Sequence, residues 1–496
     1  MTDSRCLLAI DQGTTSTRAI VFNLDGSPRA LAQRDLPQSY PQNGWVEHDP
    51  ERIVADAEAV ARQALARAGL RPEDLIAAGI TNQRETVVVW ERATGRPIHP
   101  AIVWQDRRTA TECARLREEG HEAEVTRRTG LLLDPYFSAT KIAWILDHVP
   151  GARARAERGD LAAGTVDSWL SWRLTRGAIH ATDASNASRT LLFDLHEQRW
   201  SNHLCELFRV PAALLPEVRD TAADYGVLHE KVLGAPVPLR ALVGDQQAAA
   251  FGQGCLTPGA MKATYGTGCF TVQNTGSKLV ASRHRLLGTV AWRLAGRSTF
   301  ALEGSIFHAG TVVQWLRDGL GLLHDAADAQ ARAQAADPRK RVYLVPAFTG
   351  LGAPWWNPGA RGSIQGLTRD VTGDDLVRAG LEAAGFQTRD LLEAAAADGT
   401  RLPEELRVDG GMARNDWLLQ SLADLTGLAV ARPALSETTC LGAAWLAGVG
   451  AGAMAQEDAG SGWRPEKRCE PLMSQDERDE RFAGWRAAVR RTLQDS

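Results

Sequence analysis

Short apolar runs broken by glycine alternate with longer stretches at helical spacing along the 496-residue chain. Near the start, Leu7, Leu8 and Ile10 form one run and Ala19 to Phe22 another. With Gly13 between them, the pattern predicts a β-hairpin over Cys6–Asn23. Asp49-Pro50 supplies a helix cap and a first-turn proline, and the apolar positions of Glu51–Ala68 then fall at helical spacing, predicting an amphipathic helix. Val87–Trp90 and Ala101–Trp104 read as strands around a Thr94-Gly95 turn, and helices resume after Asp106.

The opening pattern returns in the second half. LRALVGDQQAAAFGQG reads as strand, acid (Asp245), helix, and GAMKATYGTGCFTVQN as strand, Gly266-Thr267-Gly268 turn, strand. Later, Leu406–Val408 leads through Asp409 and Gly410-Gly411 into another helix. A chain this long exceeds one ordinary core. The echo predicts an α/β protein of two similar domains, 1–248 and 249–496, dividing near residues 245–255 with both hairpins at a shared cleft. Leu441–Ala455, rich in Gly and Ala, is shorter than a membrane span and is expected to be a buried helix and its exit. The charged tail beyond Ala455 is expected to be loosely organised.

Composition narrows the class. With 44% hydrophobic and 23% charged residues and a net charge of −4, nothing favours nucleic acid or anionic lipid. Seven scattered cysteines without a Cys-x-x-Cys pair indicate neither a disulfide framework nor a zinc site and fit a reducing cytoplasm. The first apolar run is cut short by Asp11, so no export signal and no membrane insertion are expected, and Asn-Ala-Ser at Asn186 is a chance glycosylation match.

The chemistry concentrates at the turns. A Gly13 turn exposes backbone N–H groups, Thr14, Thr15, Ser16 and Thr17 add hydroxyls, and Arg18 adds a cation. Asp11 at the strand end is suited to hold Mg²⁺ through water. That set suits a polyphosphate, although an ordinary polar turn uses the same residues. Paired glycines at Gly410-Gly411 let a nucleotide approach a helix start. Other positions have bland readings of their own: Asp245 as a helix cap, Trp104 and Phe270 as core, Gly310 and Gln314 as ordinary helix, Gly448 as packing. Arg84 and Glu85 would point to opposite faces of a regular strand, so they are either a surface ion pair or lie on a loop or bulge after Ile80.

The stretches DQGTTSTRA, GITNQRET, AIVWQDRR, GDQQAAAFGQ, YGTGCF and VDGGMARND resemble the FGGY family of carbohydrate kinases. So do YFSATKIAWI (Tyr136–Ile145) and RGSIQGLTRDVTGDDLVRAGLE (Arg361–Glu382), the latter with Gly380 where a larger residue is usual. The resemblance runs from about Leu7 to Val449. It implies two actin-like (RNase H-like) ATPase domains facing a central cleft, and ATP- and Mg²⁺-dependent phosphorylation of glycerol to sn-glycerol 3-phosphate. By the same resemblance, Asp245 is the general base and, with Asp11, holds Mg²⁺. Arg84, Glu85, Trp104, Tyr136, Asp245, Gln246 and Phe270 bind the acceptor. Thr14, Thr15, Ser16, Arg18, Gly266, Thr267, Gly310, Gln314, Gly411 and Asn415 bind the nucleotide. Closure of the domains over the substrates is expected, with the Gly350–Trp356 loop and the 245–255 crossover as moving parts. A homodimer or homotetramer is implied as well. Another acceptor, such as xylulose, ribulose, gluconate or erythritol, is the near alternative, and an actin-like or chaperone-like assembly ATPase the distant one. Some family members are inhibited by fructose 1,6-bisphosphate through a Gly-rich basic loop before GDQQ, or activated by phosphorylation of a loop histidine. Here HEKVLGAPVPLRALVGD lacks that arginine and paired glycines, and His229 is out of register.

Overall fold

The computed structural model describes residues 5–460 and 463–494. The expected hairpin is present as β1 (Cys6–Gln12) and β2 (Ser16–Asn23), paired antiparallel, with β3 (Pro28–Asp35) beside β2. Every residue of β1 is buried, on both faces. Leu8 and Ile10 join one apolar cluster with Ile53, Ala57 and Val60 of α1 (Pro50–Arg67), while Leu7 and Ala9 join another on the opposite face. A central strand covered on both sides cannot alternate polar and apolar, which is why the sequence shows a continuous apolar run. Asp49 caps α1 as expected, its carboxylate accepting from the Glu51 N–H at 2.9 Å.

Beyond β1 the sheet continues in parallel with β4 (Leu75–Asn82) and β5 (Val237–Gly244). From one edge the order is a short strand at Val227–Leu228, then β5, β4, β1, β2, β3. Helix α2 (Asp245–Gly252) leaves β5 directly. The second sheet then begins with β6 (Met261–Tyr265) and β7 (Cys269–Gly276), a second hairpin. It is flanked by β8 (Leu287–Leu294) and β9 (Arg297–Ile306) on one side. After the long helix α3 (Gly373–Ala397), β10 (Glu405–Asp409) pairs parallel with β6. Helix α4 (Asp416–Thr426) connects it to β11 (Ala429–Pro433), again parallel. Both sheets thus place an antiparallel trio beside two parallel strands, and the second adds β8 at its edge.

Helix α5 (Thr438–Gly450) is the buried helix expected from the Gly/Ala-rich stretch. It and α2 lie between the two sheets in a shared core containing Leu7, Phe251, Trp292, Ala443 and Trp445. The two helices cross backbone to backbone: a Cβ on Gly252 would collide with the Thr438 carbonyl, and one on Gly442 with the Ala248 carbonyl. Gly380 likewise serves packing, since a Cβ there would sit 2.9 Å from Leu316 Cδ1 and 3.0 Å from Val312 Cγ1. Gly448 packs against Met454 and Leu7.

The tail departs from expectation. Among the described residues beyond Ala455, β12 (Pro465–Cys469) extends the second sheet, and α6 (Gln475–Gln494) buries Phe482, Trp485, Ala488 and Val489. Trp485 stacks on Phe386 of α3 at 5.3 Å and donates its indole N–H to Asp390 at 2.7 Å. Most charges of α6, Arg481 apart, lie on its outer face and mask this apolar stripe. Asn186 is fully buried and bonded to Asn82 and Asp183, so it is no glycosylation site. All seven cysteines are buried. No helix among the described residues is long and apolar enough to cross a membrane.

Candidate active site

Both hairpin tips are held from behind. At the first, the Gly13 N–H donates to the Ser16 carbonyl at 2.9 Å, and Gln83 Nε2 donates to the Gly13 carbonyl at 3.0 Å. Thr15 is exposed, Thr14 and Arg18 are half-buried, and Ser16 is buried. Arg18 reaches Glu437 at 2.5 Å and approaches Asp11 at 3.6 Å, tying the tip to the residue before α5. At the second tip Thr267 is exposed, its carbonyl accepting from the Ala309 N–H at 3.0 Å and the Thr311 N–H at 3.1 Å. The Gly310 N–H donates to the Gly266 carbonyl at 2.9 Å, and a Cβ on Gly310 would lie 2.5 Å from that oxygen. Gly310 is therefore needed for close approach of two backbones. Gln314 is exposed at the end of the short helix Gly310–Gln314.

The third glycine element behaves differently. Gly410 has φ +90° at the end of β10, and Gly411 after it is exposed, with nothing within 4 Å of the position a Cβ would take. Asn415 caps α4, its side-chain carbonyl oxygen accepting from the Leu418 N–H at 3.0 Å.

Arg84 and Glu85 lie on the loop between β4 and the strand Val87–Glu91, and Glu85 has φ +61°. The surface ion-pair reading is overturned: the two residues are 3% and 1% exposed. Arg84 Nε lies 3.3 Å from Asp245 Oδ1 at the start of α2, and its guanidinium faces the Tyr136 hydroxyl at 3.4 Å. Trp104 sits edge-on to Tyr136 at 5.6 Å and to Phe270 at 6.0 Å, and its indole N–H donates to Thr14 Oγ1 at 2.9 Å. An aromatic wall, a guanidinium and a carboxylate therefore meet beside the first hairpin tip. Gln246 is held from behind by the Lys262 ammonium.

Asp245 is the first residue of its helix, the cap being Gly244, and its own carboxylate accepts from the Gln246 N–H at 2.7 Å. Its side chain keeps 28% of its accessible surface. Burial pushes its carboxyl above the usual range, against the pull of Arg84 and Lys262. Burial pushes Asp11 to about 7, opposed by Arg18 and reinforced by the charges of Asp245 and Glu437. Two crowded carboxylates offering hard oxygens fit a divalent cation such as Mg²⁺. No group of three acidic, His or Cys side chains among the described residues could hold a metal alone, so water and phosphate oxygens would complete its shell.

Other charged residues support this site from behind. Glu303 of β9 and Arg189 clamp Arg84 and Glu85 from behind. Lys262 is fully buried, donating to Thr264 at 2.9 Å and to the Phe270 carbonyl at 3.4 Å, with burial lowering its pKa. Asp409 accepts from Thr264 at 2.5 Å and from Thr438, joining β10 to α5. The signal available for them was a single charge inside an apolar strand, as in FALEGSI and GAMKATYG.

Comparison with known proteins gives the family. Residues 6–252 match the N-terminal domain, and residues 261–451 the C-terminal domain, of the FGGY family of carbohydrate kinases. The chain is 58% identical over 492 residues to the glycerol kinase of Alcanivorax borkumensis, covering 99% of each. It is 57% identical over 489 residues to glycerol kinase 1 of Pseudomonas aeruginosa. It superposes on a crystal structure of Plasmodium falciparum glycerol kinase with ADP at a TM-score of 0.92 and 32% identity, covering 99% of this chain and 98% of that one. A xylulose kinase from Lactobacillus acidophilus, at 0.88 and 19% identity, shares the fold. With its two hairpin-bearing sheets, its actin-like two-part fold and both family domains matched in order, the chain belongs to the FGGY family of carbohydrate kinases.

Proposed function

We propose that the chain transfers the terminal phosphoryl group of Mg-ATP to glycerol, giving sn-glycerol 3-phosphate. The observation that carries this reading is the meeting of Arg84, Asp245, Trp104, Tyr136 and Phe270 beside the Thr14 tip, with full-length relatives named glycerol kinase in support. A small triol needs donors, a carboxylate acceptor and an apolar edge, and these side chains offer all three. Asp245 takes the proton of the attacking hydroxyl, and Arg84 at 3.3 Å fixes that carboxylate's position. Thr14, Thr15, Ser16 and Arg18 hold the outer phosphates from one side and Gly266 and Thr267 from the other. Gly310, Gln314, Gly411 and Asn415 contact the nucleotide, and Gly310 also backs the second tip. Asp11 and Asp245 would hold Mg²⁺, which neutralises charge on the transferred group. We place the domain division at 248/249, within the span of α2, and expect a cytoplasmic homodimer or homotetramer that takes no nucleic acid.

ADP release from Mg-ATP, measured with and without glycerol beside dihydroxyacetone and xylulose, tests the reading. Glycerol-dependent turnover that disappears in Asp245→Asn is expected. Turnover with another acceptor alone would move the substrate, and acceptor-independent hydrolysis would replace the reading with an assembly ATPase.

A further inference from the structure

Four charges are sealed behind the aromatic wall: Arg84, Glu85, Arg189 and Glu303, all 3% exposed or less. Arg189 donates through Nε to Glu85 at 2.7 Å and through a terminal nitrogen to Glu303 at 2.8 Å. Glu303 accepts from Arg84 with both oxygens, one of them at 3.2 Å. Two guanidinium and two carboxylate groups thus form a charge-balanced set, which Arg84 links on to Asp245. Burial pushes Glu303 upward, but Arg189 and Arg84 outweigh it and keep the carboxyl below its ordinary range. Arg189 also lies over the Phe137 ring at 5.3 Å and the Tyr136 ring at 5.8 Å, packing the same wall from behind.

The set joins three separate pieces of chain. Arg84 and Glu85 sit on the loop after β4, Arg189 follows the buried turn at Ala184–Ala187, and Glu303 belongs to β9 of the second sheet. Glu303 lies opposite Val272 of β7, and the segment beyond β9 reaches Gly310, which is strapped to the second hairpin tip. Glu85 needs such support because its backbone is in the left-handed region, a strained conformation for a non-glycine residue.

We propose that Arg189 and Glu303 are positioning residues for the acceptor, presetting Arg84 and Glu85 so that the polyol site takes its shape only when the two sheets are docked. The proposal rests on the reading of Arg84 and Glu85 as acceptor-binding. Lysine at 189 keeps the charge but cannot bridge two carboxylates in the same way. Arg189→Lys, Glu303→Gln and the charge-balanced Arg189→Met/Glu303→Gln double variant are compared by steady-state kinetics, circular dichroism and calorimetric glycerol binding. For each, KM and Kd for glycerol rise about tenfold or more, while KM for ATP and the kcat at saturating glycerol stay within about threefold.

Folded variants with wild-type glycerol KM overturn the proposal. Insolubility of all three would assign the set to folding and overturn it too. Arg84→Ala separates the underlying reading: unchanged glycerol KM there sinks the acceptor site itself. A weakened Arg84→Ala beside an unaffected Arg189→Lys sinks the positioning role alone.

Discussion

The indole N–H of Trp104 donates to the Thr14 hydroxyl at 2.9 Å, so one side chain serves both the aromatic wall and the first hairpin tip. On the proposed reading, acceptor and phosphate groups are therefore not held by independent parts. Trp104→Phe keeps an aromatic face but loses the donor, about 1 kcal/mol for a neutral bond. We expect KM for ATP to rise about fivefold, with Thr14→Val giving a similar change and the double variant little worse than either single one. Additive losses in that cycle would show that the bond couples nothing.

Asp245→Asn should lower kcat by about 10²–10⁴, as for loss of a general base. The base must be ionised, so kcat/KM falls as pH drops through its pKa, and burial sets that limb above the ordinary carboxylate range. A pH–rate profile with the same acid limb in the Asn variant would assign it to another group.

Two glycines predict opposite outcomes for stability. Gly310→Ala pushes against the Gly266 carbonyl, whereas Gly411→Ala meets open space. We expect Gly411→Ala to stay within about 1 kcal/mol of wild type in denaturant melts, since surface changes clear of packing cost little. Gly310→Ala should lose more and shift the second tip. Both should raise KM for ATP, and equal melting curves would contradict the packing argument.

His180 predicts a pH effect away from the cleft. Its Nε2–H donates to the Ala163 carbonyl at 3.0 Å, while Nδ1 accepts from Arg92 at 3.1 Å, a neutral tautomer. Burial, with Arg92 adding to it, lowers its pKa to about 4. The unfolded chain therefore takes a proton that the folded chain declines, and stability present above pH 6.5 is lost as pH falls towards 4. In His180→Gln, the loss of stability between pH 7 and pH 5 should shrink by about 2 kcal/mol, following proton linkage. Parallel pH–stability curves would refute this.

Fructose 1,6-bisphosphate should inhibit by less than about twofold at millimolar concentration, because the segment before β5 offers few free cations for its phosphates. Residues Glu230–Leu233 form one helical turn capped by His229, and Arg240 is engaged by Asp224 at 2.6 Å. Strong inhibition in the ADP-release assay would point to a site elsewhere.

The hairpins, α1, α2 and the buried α5 were legible because each is encoded by local periodicity and by caps or turns next to it. The site was legible only where charge and glycine clustered in sequence, as in NQRET or GDQQ. Glu303 lies 219 residues from Arg84 and 114 from Arg189, and no local pattern announces a partner so distant. The tail was misread for a related reason: Trp485 has its partners on α3, 95 residues earlier at Asp390, so composition alone made α6 look unsupported. Gly310 read as ordinary helix because its constraint is the Gly266 carbonyl on another strand.

The crossing of α2 and α5 has a mechanical meaning. Where side chains interlock, one body can turn against another only by repacking. At Gly252 and Gly442 there is nothing to unlock, and the backbones bear directly on each other. We expect the two helices to act as a pivot pin between the sheets, one starting at Asp245 and the other one residue after Glu437, the partner of Arg18. Rotation about that pin would carry the two hairpin tips towards or away from each other while leaving the buried axle unchanged.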